Sequence, residues 1–328
     1  MFRLKLVLFI LLIVTGFSFA QKKKIVYCSN DTGSGFIQVF TMNEDGTDKK
    51  QLTDLQENCM KPKWSPDGKQ IVFYSDKGLV YLIRDVNAAV PITPFYLWSG
   101  YYPTFMPDGE QVMFNSEYED VLSIFAIDTA AFGAQPELIS DGSYSNMQVL
   151  SSGGNKLYFS TFEDASKVIK VADLDDTTDN YIQTISVNDE ANLEPDVSAD
   201  DKKVAYASFD NNLKGTIRLF ENGKESALTK GLPSSNVPRF SPDGSKIAFV
   251  VIGEKDVSLY LMNSDGSSKD DLNVKGGDVG TFQWVDNERI IYDAGSDTRT
   301  SVWMINVKTG VNNVLADGGF NLHPCSQK

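Results

Sequence analysis

Histidine occurs once in these 328 residues, at position 323. Sites built on two or three imidazoles are thereby excluded, and His323 itself is read as a strand residue rather than a catalyst. The chain also lacks Gly-x-Ser-x-Gly, the turn that presents the nucleophile of many hydrolases. No amphipathic helical stretch of useful length is present. Cations are in the minority, with 30 Lys and Arg against 44 Asp and Glu and a formal net charge of −14. An acidic chain repels a phosphate backbone, so nucleic acid is excluded as a partner. Cysteine is scarce, at Cys28, Cys59 and Cys325 only.

The one long apolar run stands at the start. Residues 1–20 carry basic Arg3 and Lys5, an apolar core over 6–14, and small Ser18 and Ala20 where a signal peptidase reads, which together predict a cleavable export signal. The short core with Gly16 argues against a membrane anchor, and no cysteine follows the cleavage position to take a lipid. The expected mature chain, residues 21–328, is a single soluble domain, periplasmic or secreted. Without Arg3 and Lys5 its formal charge moves from −14 to −16.

What the chain has is repetition. Trp64-Ser65-Pro66-Asp67-Gly68, Phe105-Met106-Pro107-Asp108-Gly109 and Phe240-Ser241-Pro242-Asp243-Gly244 each lead into an apolar strand. Proline fixes φ at the second turn position, aspartate bonds back to the turn, and glycine takes the positive φ that reverses the chain. Weaker copies lie at 151–154, 198–201 and 285–288, so the first apolar residue after each turn falls at Ile71, Val112, Leu157, Val204, Ile247 and Ile290. A period of roughly 40 to 50 residues marks propeller blades.

Residues 25–53 hold everything that follows the turn in other repeats, and only the opening strand is missing. Residues 321–326 look like such an opening strand with no blade of its own. Joined, they predict a blade built from both termini. The expected fold is all-β, a propeller of seven four-stranded antiparallel blades, with six blades and a trailing peptide as the alternative. Closure of this kind protects strand edges.

The phased turns, with Thr41-Met42-Asn43-Glu44-Asp45-Gly46 through Leu52-Thr53 and Leu261-Met262-Asn263-Ser264-Asp265-Gly266, resemble the TolB-like propellers built from WD40-like PD40 repeats. The resemblance covers nearly all of the mature chain and implies fold more than function. Some members of that group are oligogalacturonate lyases with a histidine-held metal, which this chain cannot reproduce. Others are propeller halves of prolyl-oligopeptidase-type peptidases, which need a hydrolase domain carrying the missing serine motif.

Three functional classes follow. The favoured one is an exported, non-enzymatic scaffold that binds a protein partner in the cell envelope or outside the cell. A glycan- or small-ligand-binding module and a carboxylate-based enzyme acting on polysaccharide are the alternatives. No cofactor or metal is expected, because the acidic stretch at 173–180 lacks the glycine and terminal glutamate of a calcium loop and reads as a solvated turn. The aromatic segment at 94–103, assigned to the link between two blades, supplies the candidate binding residues Phe95, Tyr96, Trp98, Tyr101 and Tyr102 at the channel mouth. In an exported chain Cys28 and Cys325, placed in adjoining strands of the composite blade, form the candidate disulfide, with Cys59 as competitor and three free thiols as the other outcome. Register taken from the other blades sets Cys325 beside Val26, a poor geometry for that bond.

Overall fold

A computed structural model of the chain describes residues 23–327 apart from 85–87, 95–97, 131–132, 141–144, 152, 164–165 and 177–180. The expected signal segment lies outside the described residues, as do Phe95, Tyr96 and the end of the acidic stretch. The described strands form seven four-stranded antiparallel sheets, and six of them are consecutive in sequence. These are blades 1 to 6, whose innermost strands are Cys59–Trp64, Trp98–Phe105, Ser145–Leu150, Ala191–Val197, Ser234–Phe240 and Asp278–Trp284. In blade 7 the innermost strand Asn321–Ser326 pairs with Lys24–Ser29, which continues into Gln38–Asn43 and Lys50–Gln51. The two ends of the chain thus complete one blade, and the ring has seven.

The turns do what their residues dictate. The Gly68, Gly109 and Gly244 amides donate to the carbonyls of Ser65, Met106 and Ser241 at 2.8–2.9 Å, and the three glycines hold φ of 69°, 77° and 67°. In the weaker copy at 198–201 the glycine is replaced by Asp201, which is forced to φ 57°. Ser65, Ser198 and Ser241 each donate to the turn aspartate at 2.7 Å and accept the amide five residues on, so the hydroxyl fastens both ends of the reversal.

After each turn, alternate residues of the second strand face opposite neighbours, which is why the strand reads as a continuous apolar run. Ile71 and Phe73 pack against blade 7 while Val72 packs against blade 2. The buried apolar residues fall into seven clusters, one at each blade interface. Each cluster centres on the aromatic two residues beyond the strand's first apolar residue: Phe73, Phe114, Phe159, Tyr206, Phe249, Tyr292 and Tyr27, none more than 2% exposed. Burying each ring contributes roughly 2–3 kcal/mol, so the ring holds itself together without a central core.

Cys28, Cys59 and Cys325 are three buried free thiols. The candidate Cys28–Cys325 disulfide is therefore absent, and the register explains it. Cys325 stands opposite Val26 and Cys28 opposite Leu322, because His323 and Pro324 bulge out between them. Burial pushes the Cys28 thiol well above its ordinary range and that of Cys59 up to about 12, so both pack as neutral, unreactive groups.

Candidate functional site: the channel wall

Each innermost strand breaks its ladder at a matching place, and that of blade 2 breaks at a second, between Trp98 and Tyr101. The register shifts at 61–62 in blade 1, 147–148 in blade 3, 194–195 in blade 4, 237–238 in blade 5 and 280–281 in blade 6, and blades 2 and 7 carry the same irregularity at 102–103 and 323–324. In five blades the bulge is a residue followed by proline: Lys61-Pro62, Tyr102-Pro103, Glu194-Pro195, Val237-Pro238 and His323-Pro324. All five leading residues hold positive φ, from 46° to 56°. A left-handed non-glycine residue costs about 1–2 kcal/mol, and such strain collects where a side chain must be aimed. Proline suits the following position because it has no N–H to leave unpaired in a broken ladder.

The bulges clamp neighbouring blades together. The Val237 amide of blade 5 donates to Glu194 Oε2 of blade 4 at 2.9 Å, the His323 amide of blade 7 to Asp293 Oδ2 of blade 6 at 2.8 Å, and the Lys61 amide of blade 1 to His323 Nδ1 at 3.4 Å. One step further along the strands the pattern repeats, with the Phe240 amide donating to Asp196 Oδ2 at 2.7 Å and the Ser326 amide to Gln283 Oε1 at 3.2 Å. Asp293 also accepts from the Thr281 amide at 3.1 Å and from the Thr281 hydroxyl. Gly280 makes room for this, since a Cβ there would fall 2.2 Å from Asp293 Oδ1. The lone histidine is thus an acceptor between blades, and burial, helped by the Lys61 charge, holds its imidazole down to about 4, in the neutral form that accepting requires.

The same side chains reach across the ring. Lys61 of blade 1 interacts electrostatically with Glu194 of blade 4, Arg239 of blade 5 and Asp293 of blade 6. Blades 1 and 4 share no interface, so Lys61 and Glu194 come within electrostatic range of each other only across the central axis, on the wall of the channel. Two residues beyond Lys61, and about 6–7 Å further along the strand, Lys63 faces Arg239, Lys61 and Cys325. Burial, seconded by the like charges of Arg239 and Lys61, pushes its ammonium down to about 8. Burial likewise raises Asp196 to about 6, against the pull of Arg239 and of the Phe240 amide. Asp293 is raised by burial too.

Asp196 gives a stability prediction. A carboxyl titrating near 4 in the unfolded chain and near 6 in the folded one binds more protons when folded between those values, so its contribution falls as pH rises from about 4 to 6. Asp196→Asn removes this loss while keeping an acceptor for the Phe240 amide. Partial exposure to the channel discounts the size to about 1 kcal/mol. Denaturant midpoints should show the variant gaining on the wild type from pH 4 to pH 6, with a flat difference above. A difference independent of pH would show that Asp196 ionises normally.

Of the candidate aromatics, Phe95 and Tyr96 lie outside the described residues. Trp98, Tyr101 and Tyr102 belong not to a link between blades but to the innermost strand of blade 2 itself, where Trp98 stands opposite Glu117 and Tyr101 opposite Asn115. Tyr101 is 36% and Tyr102 41% exposed. Both lean on Tyr74 of blade 1, Tyr101 edge-on at 5.6 Å and Tyr102 tilted at 6.1 Å, and Lys61 Nζ sits 4.2 Å over the Tyr102 ring. The structure therefore joins Tyr101 and Tyr102 to Lys61 and its charged partners, which the aromatic spacing did not foretell. A signal for Lys61, Tyr102 and Glu194 was in the sequence, as a residue-proline pair whose proline stands three residues before the turn in four blades, but Arg239 and Asp293 lie outside that pattern. Elsewhere, a groove of about 460 Å³ runs between the turns of blades 4 and 5, but Asp200 and Asp243 are engaged by their own turns and Lys203 by Ser264. Among the described residues no three His, Cys, Asp or Glu side chains are grouped to hold a metal.

A closed ring of seven blades with a polar, strained channel wall defines the class. Residues 160–327 match the TolB beta propeller domain (PD40) family over half of the chain, and the chain belongs to that family. It is 24% identical over 320 residues to dipeptidyl-peptidase 5 of Porphyromonas gingivalis, a match covering 88% of this chain and 44% of that protein. The chain thus spans under half the length of the curated relative it matches. Among solved structures it resembles a puromycin-hydrolyzing peptidase of Mycobacterium tuberculosis, with a TM-score of 0.73 and 17% identity over 90% of this chain and 51% of that one. It also resembles TolB from Acinetobacter baumannii, with a TM-score of 0.60 and 18% identity over 93% of this chain and 66% of that one. These structural likenesses are likenesses of fold.

The expectation of a non-enzymatic scaffold is corrected by the match to a dipeptidyl-peptidase along 88% of the chain. A propeller need not carry the chemistry itself. In a relative more than twice as long as the matched segment, a missing nucleophile motif in that segment excludes nothing.

Proposed function

We propose that the chain is a peptidase-type propeller that takes part in peptide hydrolysis by receiving short peptides in its central channel. The match to a dipeptidyl-peptidase along 88% of the chain carries this reading. The channel wall supports it, because Tyr101 and Tyr102 offer apolar faces beside charges of both signs, the cations Lys61 and Arg239 and the carboxylates Glu194 and Asp293, a mixture that suits a zwitterionic peptide. The hydrolytic group itself is assigned to none of the residues of this chain. The basic, apolar and small residues of 1–20 support export, so the peptides would be met in the envelope or outside the cell.

Calorimetric titration of the exported protein with tri- to pentapeptides tests the binding step. Saturable binding is expected, and Tyr102→Ala should weaken it about tenfold or more, as for an aromatic anchor. Deleting the chain from cells should slow the disappearance of the same peptides from the medium. A protein that binds no such peptide saturably, in a titration where an oligosaccharide serves as the control solute, would sink the proposal.

A further inference from the structure

The acids and the cations of the channel wall are not in equivalent states. Glu194, Asp196 and Asp293 each accept a backbone amide of the following blade, so each is part of the clamp between blades. The Lys63 ammonium, by contrast, makes no hydrogen bond or ion pair with any described residue, though the residue is half-buried. The Arg239 guanidinium directs Nη1 to the Pro238 carbonyl at 2.7 Å and makes no other hydrogen bond to a described residue, while the Arg239 carbonyl accepts from Trp284 Nε1 at 3.1 Å. The Lys61 ammonium stands over the Tyr102 ring, within electrostatic range of Glu194 and Asp293 but without a hydrogen bond or ion pair to a described residue. Lys63, Asp196 and Arg239 hold the same position on the innermost strands of blades 1, 4 and 5, one residue before the strand's last pair. The Asp196 carboxylate lies within electrostatic range of Arg239, whereas the charged groups around Lys63 are the like charges of Arg239 and Lys61, so a partly dehydrated ammonium is left without a carboxylate, a costly arrangement unless an anion completes it.

We propose that Lys63 and Arg239, with Lys61 beside them, form a site for the C-terminal carboxylate of a peptide held in the channel. This rests on the peptide-binding reading above and deepens it. The planar guanidinium can hold a carboxylate through two parallel hydrogen bonds while the lysine adds a point charge. The charge around the site selects the anion. With Glu194, Asp196 and Asp293 in the same wall and a net charge of −14 on the chain, a dianion or polyanion is repelled, whereas a peptide bears one terminal carboxylate balanced by its own amine. Tyr101 and Tyr102 lie at the neighbouring bulge, nearer the start of the innermost strands, where the residues preceding the terminus would run.

The test compares one N-acetylated tetrapeptide as its free acid and as its C-terminal amide, titrated into the exported protein at pH 7. The acid should bind about tenfold more tightly or better, the size of one charge-assisted contact. Lys63→Met and Arg239→Gln should each bring the two forms close to equal while leaving the amide nearly unchanged. Should Lys63→Met fail to fold, Lys63→Arg should fold and keep the preference, with Arg239→Gln still removing it. Acid and amide binding equally to the wild type would overturn the carboxylate site and leave the peptide-binding reading standing. If neither form binds, both fall. Acetate should compete with the acid, and phosphate competing better than acetate would also overturn the assignment.

Discussion

Removing residues 321–328 should abolish cooperative unfolding. Asn321–Ser326 is the innermost strand of blade 7, and without it Lys24–Ser29 becomes an open edge facing the channel. The loss is larger than one strand's ladder. His323 accepts the Lys61 amide and gives its own amide to Asp293, Cys325 packs with Val26, Cys59 and Ile71, and the Ser326 amide meets Gln283. Gln327 adds three further ties, from its amide to the Lys24 carbonyl at 2.8 Å, from Nε2 to the Gly68 carbonyl at 2.7 Å, and from the Lys24 amide to its Oε1 at 3.3 Å. Blades 6, 7 and 1 are therefore all fastened through these residues, and deleting them opens two of the seven interfaces. Calorimetry should show a broad or missing transition, and size-exclusion chromatography should show aggregates. A truncated protein that melts within about a degree of the intact one would mean that blade 7 does not close the ring.

The ring was legible because its determinants are local and repeated. A turn such as Ser241-Pro242-Asp243-Gly244 needs nothing outside itself, and the phase of Ile71, Val112, Leu157, Val204, Ile247 and Ile290 fixes how many blades there are. The split blade was legible for the same reason, since each partial piece matches a known part of the repeat. The aromatic two residues past each of those positions, present in all seven blades, is an equally regular signal for the blade interfaces. The channel wall was not legible in that way. Lys61, Glu194, Arg239 and Asp293 come from four blades and meet only when the ring closes, so no window of sequence holds them together. Trp98, Tyr101 and Tyr102 drew attention as a dense cluster, but their density said nothing of the innermost strand they occupy or of Lys61 over the Tyr102 ring. That Lys63 lacks a counter-ion is a fact of three dimensions. Function failed for a different reason, because an argument from missing histidines and missing motifs treats one segment as though it must hold every part of a reaction.

Asp293→Ala should be among the most damaging single substitutions in the chain, at about 3–5 kcal/mol, because it leaves buried donors without acceptors at a cost of roughly 1–3 kcal/mol each. Asp293 is 2% exposed and receives the Thr281 amide, the Thr281 hydroxyl and the His323 amide of the next blade. Truncation also empties the space that Gly280 leaves for the carboxylate, so a cavity adds to the loss. Asp293→Asn separates charge from hydrogen bonding. Its single amide oxygen can serve the donors of only one carboxylate oxygen, the Thr281 hydroxyl and His323 amide on Oδ2, and its NH2 then faces the Thr281 amide, so it should cost about 1–3 kcal/mol at pH 7, less than alanine because it carries no ion to desolvate. The pH dependence distinguishes the two effects. Burial raises the Asp293 pKa above the unfolded value near 4, so the folded chain holds the extra proton and the wild type loses stability as pH climbs from there through the folded pKa. The asparagine variant should lack that decline and gain on the wild type across the same interval. Urea midpoints at unchanged m-value, taken from pH 4 upward, measure both. An alanine variant that loses less than about 1 kcal/mol would show that the bulges of blades 6 and 7 are held by something other than this carboxylate.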